Sequence, residues 1–269
     1  MAIAITTLTV GGDPTDATSY ALASVNVTAG RVRILALHGA KSADPDLPVP
    51  VGFGDTWTLQ NDHTFGFAGK RVVLYTGYTA APSNGVVTVT CAGATQVGML
   101  WALAEIAGCD VSLPIVQSTC TSTSGVTSQS VTLAAFATTD NVGFGVGGSG
   151  HNLAMGAAAG FTSIGSAVLT APNMGIVAEY LANTPTIGAS TASNIAIAVI
   201  GAEISVTVAA AGAPKFLPEA LGFQSLKGGM GLSAMLEWVA AYAKAMGRIH
   251  SRVDLGSVFR IGGLHGARS

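Results

Sequence analysis

One β layout is written twice in the first two hundred residues. Ser24–Thr28 leads into the apolar stretch Arg31–Gly39, a Gly-Phe turn at Gly52-Phe53, a strand Val72–Tyr78, an Ala-Pro turn at Ala81-Pro82, and a long apolar run closing on Ala104-Glu105-Ile106. About a hundred residues later Ser130–Leu133 leads into Val142–Gly147, Gly160-Phe161, a strand Ile176–Tyr180, Thr184-Pro185, and a run closing on Ala202-Glu203-Ile204. A period of this length is too long for a solenoid repeat. It predicts two half-arrays of about four strands each that close against one another as one antiparallel sandwich.

Charge is the unusual term in the composition. Only 10% of the 269 residues are Asp, Glu, Lys or Arg, against roughly a quarter in ordinary globular domains. Soluble monomers normally carry a charged surface, so a polar exterior built from Thr, Ser and Asn points to a protein packed against copies of itself. A monomeric sandwich with a hydroxyl-rich exterior is the competing reading. The net charge of −2 also hides an asymmetry: residues 1–210 hold 5 Lys/Arg against 11 Asp/Glu, and residues 211–269 hold 7 against 3. An acidic body with a basic tail favours contacts between subunits or with an acidic partner. Arg248, Arg252, Arg260 and Arg268 are spread among Gly and apolar residues, not run together, which argues against nucleic acid.

Along the chain, Arg31–His38 alternates as a strand with one wetter face, and Gln96–Ile106 and Asn194–Val208 are read as strands in spite of their alanines. Ser83-Asn84-Gly85 predicts a hairpin turn between Arg71–Tyr75 and Val86–Cys91. Lys41–Pro50 is a proline-rich loop, Gly143–Gly165 implies short or irregular strands, and Ser118–Ser130 a connection between the halves. Residues 1–208 form the sandwich domain, 209–230 a linker, and 231–269 a helix with a basic, extended tail. Leu232, Met235, Leu236, Val239 and Met246 recur at helical spacing and form one apolar face. With Arg248, Arg252, Arg260 and Arg268 they are the candidate interface residues. The N-terminal ten residues lack the basic start of a secretory signal, which predicts synthesis in a cytoplasm, and no apolar stretch is long enough to span a membrane.

Chemistry is sparse. Cys91, Cys109 and Cys120 are odd in number and lack C-x-x-C spacing, which indicates reduced thiols, although a Cys109–Cys120 bridge stays open. His38 ends an apolar strand, while His63, within Gln60–Thr64, and His151 are placed in turns. No pair has metal-ligand spacing and no Gly-x-Ser-x-Gly elbow is present, so no catalytic residue, cofactor or metal is expected. Asp44 and Asp46 lack the pattern of a calcium loop. Among the aromatics Trp57, Tyr75, Tyr78 and Trp101, Trp57 with Asp55 and Asp62 is a combination that suits a sugar ligand, with core aromatics as the plainer alternative.

The succession Ser24–Val27, Arg31–His38, Thr56-Trp57-Thr58-Leu59 as a turn, Val72–Tyr75 and Ala102–Ile106, followed by Val131–Phe136 and Ala196–Ile204, resembles phage virion proteins built on a jelly-roll sandwich. The resemblance covers roughly residues 19–208 and carries no catalytic signature. It implies a mainly β, jelly-roll-like fold and a non-enzymatic structural part of a bacteriophage particle, of tail or fibre type. Such a part self-assembles, contacts other virion proteins, and is found in the virion. A head-decoration protein and a carbohydrate-binding module that reads a host-surface glycan are the alternatives. The anchoring role of the C-terminal helix and tail lies outside the resemblance and rests on their composition alone.

Overall fold

The computed structural model describes residues 2–66, 69–93 and 95–207. Among them there is no helix; the chain is built from antiparallel strands. The first repeat holds β1 (Ala4–Asp13), β2 (Ser19–Ala21), β3 (Val32–Ala40), β4 (Pro48–Val51), β5 (Thr56–Phe65), β6 (Lys70–Tyr78), β7 (Thr88–Cys91) and β8 (Gly98–Ala107). The second holds β9 (Ile115–Thr132), β10 (Val142–Ser149), β11 (Gly156–Ala157), β12 (Thr162–Thr170), β13 (Asn173–Ala182) and β14 (Thr186–Ile204). The linker, helix and tail expected after residue 208 lie outside the described residues.

The duplication is visible in the strand order. The first repeat forms a five-stranded sheet β1-β8-β3-β6-β5 and a small sheet β2-β7-β4. The second forms β9-β14-β10-β13-β12, the same order with each strand replaced by its counterpart. Its small sheet is present too, because β9 and β14 run on without a break: Ser128–Thr132 pairs with Thr186–Ser190, and β11 pairs with Ala189 and Ser190. Even the irregularities match. The pairing of β5 with β6 skips Gln60, and that of β12 with β13 skips Ile164, a bulge at the same position of each repeat. Bulges are fixed features of a strand's register, so the shared one marks the two halves as versions of one unit.

Side-chain alternation along the central strands builds three cores. Val32, Ile34 and Ala36 of β3, with Leu100, Ala102 and Ala104 of β8, pack against Phe144, Val146, Ile176, Ile200 and Ala202 of the second repeat. The other face of the first large sheet presents Leu35, Leu37, Val73, Tyr75, Met99 and Trp101 to Tyr20, Val87 and Val89 of its small sheet and the segment leading into it. A third core holds Val177, Ile197 and Val199 against Val131, Ile187 and Ala189. Both large sheets are therefore covered on both faces, and every residue of β3 is buried, Arg33 and His38 included, so the wetter face expected of Arg31–His38 is not found. Each fully buried Val, Leu or Ile contributes about 1.5–3 kcal/mol.

Several sequence expectations are corrected here. The two half-arrays do close on each other, but each carries an outer sheet of its own, so the arrangement has four layers and not two. Ser118–Ser130 is not a connection; it belongs to β9, where β-branched Thr and Val suit a strand. Gly143–Ser149 falls in the regular eight-residue β10, whereas the rest of Gly143–Gly165 does hold short or irregular strands, the two-residue β11 and the bulged start of β12. His63 and the whole of Gln60–Thr64 lie in β5, not in a turn, and Thr56–Leu59 begins that strand. Asn84-Gly85 makes no hairpin: Asn84 Oδ1 accepts from Val27 N and Gly85 bridges to Val25, while β6 and β7 enter different sheets.

Candidate functional site

The two repeats meet along two seams, and both obey one twofold relation. The edge strand β1 lies beside β12, and its counterpart β9 lies beside β5, the counterpart of β12. At the first seam the Thr7 hydroxyl donates to the carbonyl of the bulge residue Ile164 at 2.9 Å. At the second the Ser118 hydroxyl donates to the carbonyl of the bulge residue Gln60 at 2.8 Å. By register Thr7 and Ser118 are equivalent, since they pair with Ala104 and Ala202 of the two closing runs. A contact in which one patch meets its own copy is the isologous contact of a homodimer, here made within one chain. It also occupies the edges of the large sheets, which otherwise would template pairing with other chains.

The chemistry of the seams differs. The β1–β12 seam is apolar, with Ile5, Val10, Ala167 and Leu169 packed on the central core. The β5–β9 seam is polar. Asn61 Nδ2 donates to Ser118 Oγ at 3.2 Å, His63 Nε2 lies 2.8 Å from Ser122 Oγ, and Cys120 Sγ lies 3.5 Å from His63 Nδ1. Burial, then the Asp62 charge, raises the Cys120 thiol above its ordinary pKa.

Five charged side chains of the body are withdrawn from the surface. Arg33 and Asp55 form a doubly hydrogen-bonded ion pair with no exposed side-chain surface. Burial pushes the Asp55 carboxyl upward in pKa against the pull of Arg33. Glu105 accepts from Thr28 N and faces Arg31 at 3.3 Å, tying down the entry to β3. Its equivalent, Glu203, accepts from Asn141 Nδ2 at 2.5 Å and Gln117 Nε2 at 2.6 Å, tying down the entry to β10. The repeated Ala-Glu-Ile thus has a structural reason: the glutamate clamps the turn before the neighbouring strand. Glu179 is the fifth, buried with Oε2 accepting from Ala158 N at 2.6 Å, and burial lifts it to about pKa 7.

The outward sheets carry no charge. Ser19, Ala21, Val49, Val51 and Thr90 face out from the first small sheet, with Val51 66% exposed. On the second, Ser128, Ser130 and Ser190 line a groove of about 390 Å3 with Ala157 and Gly188. Charges gather instead at the sheet ends, where Lys41 meets Asp46 and Arg71 lies between Asp44 and Asp62.

The sequence-predicted ligand patch is placed as follows. Asp55 is consumed by Arg33, and Asp62 lies 3.7 Å from Arg71. Trp57 lays its ring on Gly77, where an added Cβ would stand 2.8 Å from it, and joins the core beneath the first small sheet. The three are not brought together as an exposed platform. His38 is wholly buried between the repeats, with Nδ1–H donating to the Gly175 carbonyl at 2.9 Å and its pKa lowered to about 3 by burial. All three cysteines are free thiols. Among the described residues no group of three or more His, Cys, Asp or Glu is placed to hold a metal ion, and no helix is long and apolar enough to cross a membrane. Leu232, Met235, Leu236, Val239, Met246, Arg248, Arg252, Arg260 and Arg268 all lie outside the described residues. No protein family, curated protein or solved structure matches the chain.

Proposed function

We propose that this chain is a non-enzymatic structural component of a bacteriophage virion, of tail or fibre type, that assembles with copies of itself and is anchored through residues 209–269. The observation that carries the reading is the pair of charge-free outward sheets on a body whose own charges are partly buried. Surfaces of this kind suit permanent packing against other subunits better than free diffusion. Each repeat also pairs its strands as a rolled hairpin does, β1 with β8, β2 with β7 and β3 with β6. That pairing supports a jelly-roll description, the double-sheet form used in viral capsids, with the departure that β5 joins β6 in the large sheet and leaves β4 as an edge. The prolines of β4, Pro48 and Pro50, suit such an edge because they offer no donor to a further strand.

The deciding experiment is a truncation that removes residues 212–269. The body is expected to keep its β circular dichroism and a cooperative melt while losing incorporation into particles. Incorporation at the full-length level would overturn the anchoring role. A body that stays monomeric at high concentration, with the full chain equally monomeric, would overturn self-assembly.

A further inference from the structure

The two small outer sheets are counterparts, yet their outward faces have opposite relief. Leu22 N donates to the Val87 carbonyl in the first, and Leu133 N to the Pro185 carbonyl in the second, so Cys91 is the counterpart of Ala189. Pro48 pairs with Cys91 and Ala157 with Ala189. By count, Val49 and Val51 then correspond to Ala158 and Gly160. The valines stand out from the first sheet, 49% and 66% exposed, while Pro48 and Pro50 turn inward. In the second sheet β11 ends at Ala157: Ala158 N donates to the buried Glu179 carboxyl, and Phe161 N closes a turn on the Ala158 carbonyl. The groove of about 390 Å3 lies at this gap, with Ala157, Ala158 and Ala159 along one side, Ser128 and Ser130 along the other, and Gly188 between. Where one sheet raises two valines, its twin has a groove lined mostly by the smallest side chains.

The layers run small sheet, large sheet, large sheet, small sheet, so ridge and groove lie at opposite ends of the body. Neither face carries a charge. The second repeat goes further: between residues 111 and 207 the charged residues are Asp140, Glu179 and Glu203, and both glutamates are buried. Ridge against ridge leaves the groove of each copy unfilled, and groove against groove brings few atoms into contact. Ridge into groove covers the valines and fills the gap at once. A contact between unlike patches is heterologous, and it continues from copy to copy unless a rotation closes it.

We propose that the β4 ridge, Val49 and Val51, seats in the groove over Gly188 of a second copy, so that subunits stack end to end through their outer sheets. This rests on the self-assembly read above and names its contact. The prolines of β4 offer no donor to another strand, so side chains enter a groove and no sheet is extended. The outer sheets are small, so one contact is weak and gains strength by repetition along a row of subunits.

The test uses the full-length chain with Cys120→Ser as background, because Cys91 and Cys109 are buried. One variant adds Val51→Cys on the ridge, another adds Ala158→Cys in the groove, and a short bismaleimide links thiols that come close. An equimolar mixture is expected to give covalent dimers at least tenfold faster than either variant alone. A chain carrying both changes is expected to give a ladder of multimers. Adding Val49→Asp to the Val51→Cys chain is expected to return the mixture to the rate of its components. Fast linking of Val51→Cys to itself means ridge on ridge and overturns the proposal. So does a mixture no faster than its components, or indifferent to Val49→Asp, in a protein that self-associates by sedimentation. A wild-type chain that sediments as a monomer at every concentration overturns the self-assembly reading itself, and this contact with it.

Discussion

The two repeats share strand order, bulge position and glutamate clamps, yet they fill their interiors in opposite ways. In the first, Leu35, Leu37, Tyr75, Met99 and Trp101 prop the large sheet away from its small one. In the second, the equivalents of Leu35 and Leu37 are Gly145 and Gly147, where an added Cβ would come within 2.4 Å of Ile187 and of Ala189. One sandwich is thick with side chains and the other is thin, with the backbone of one layer against the side chains of the next. The same contrast recurs at Arg33, whose counterpart is Gly143. A fold can thus keep its topology while exchanging bulk for close approach, provided the covering layer moves with it.

Substitutions at matched positions sharpen this contrast. The largest effect is expected from Asp55→Ala, which strands Arg33 as an uncompensated buried cation and costs about 4 kcal/mol in urea unfolding; a cost below about 1 kcal/mol would mean that water reaches the pair. Next come the matched changes Leu37→Ala and Gly147→Ala. Truncation in the thick sandwich costs about 3 kcal/mol by leaving a cavity, and one added methyl in the thin sandwich costs about 2 kcal/mol by overpacking. Should Gly147→Ala stabilise the protein, the two interiors are not packed by different rules.

The smallest effect concerns pH and belongs to the thin sandwich alone, for Glu179 takes the place of Tyr75 there. Its carboxyl has a pKa of about 7 when folded and 4.5 as the ordinary value. The folded state therefore binds more protons between these values, and stability from this group is greatest below pH 4.5 and falls as pH rises through 7. Glu179→Gln is expected to gain of order 2 kcal/mol over wild type at pH 8 and little at pH 4, measured by denaturant unfolding. Equal stability gaps at both values would show that the carboxylate is hydrated in the folded protein.

The duplication was legible because its signals are local: an apolar strand, a Gly-Phe turn and a closing Ala-Glu-Ile recur in order. The small outer sheets were not legible, since strands such as β2 and β11 are three and two residues long and carry no period. β9 was lost because Ser and Thr were read as loop formers when its threonines are β-branched. His63 was misplaced because Asn61-Asp62-His63 has the composition of a turn, although the bulge at Gln60 is what that polar stretch accommodates. Nothing in the sequence joins His63 to Cys120, which are separated by |i−j| = 57. Asp55 and Trp57 looked available to a ligand because burial cannot be read from residue type.

By itself the sequence determined a chain of strands, repeated once, with only 10% charged residues. Alternation and turn chemistry act over a few residues, so they survive reading in one dimension. Only the tertiary structure decided which edges meet, that the halves are related as two subunits are, and that one seam is apolar while its twin brings a thiol to an imidazole. Those outcomes depend on register between strands far apart in the chain, and a shift of one residue would turn each of these side chains to the opposite face.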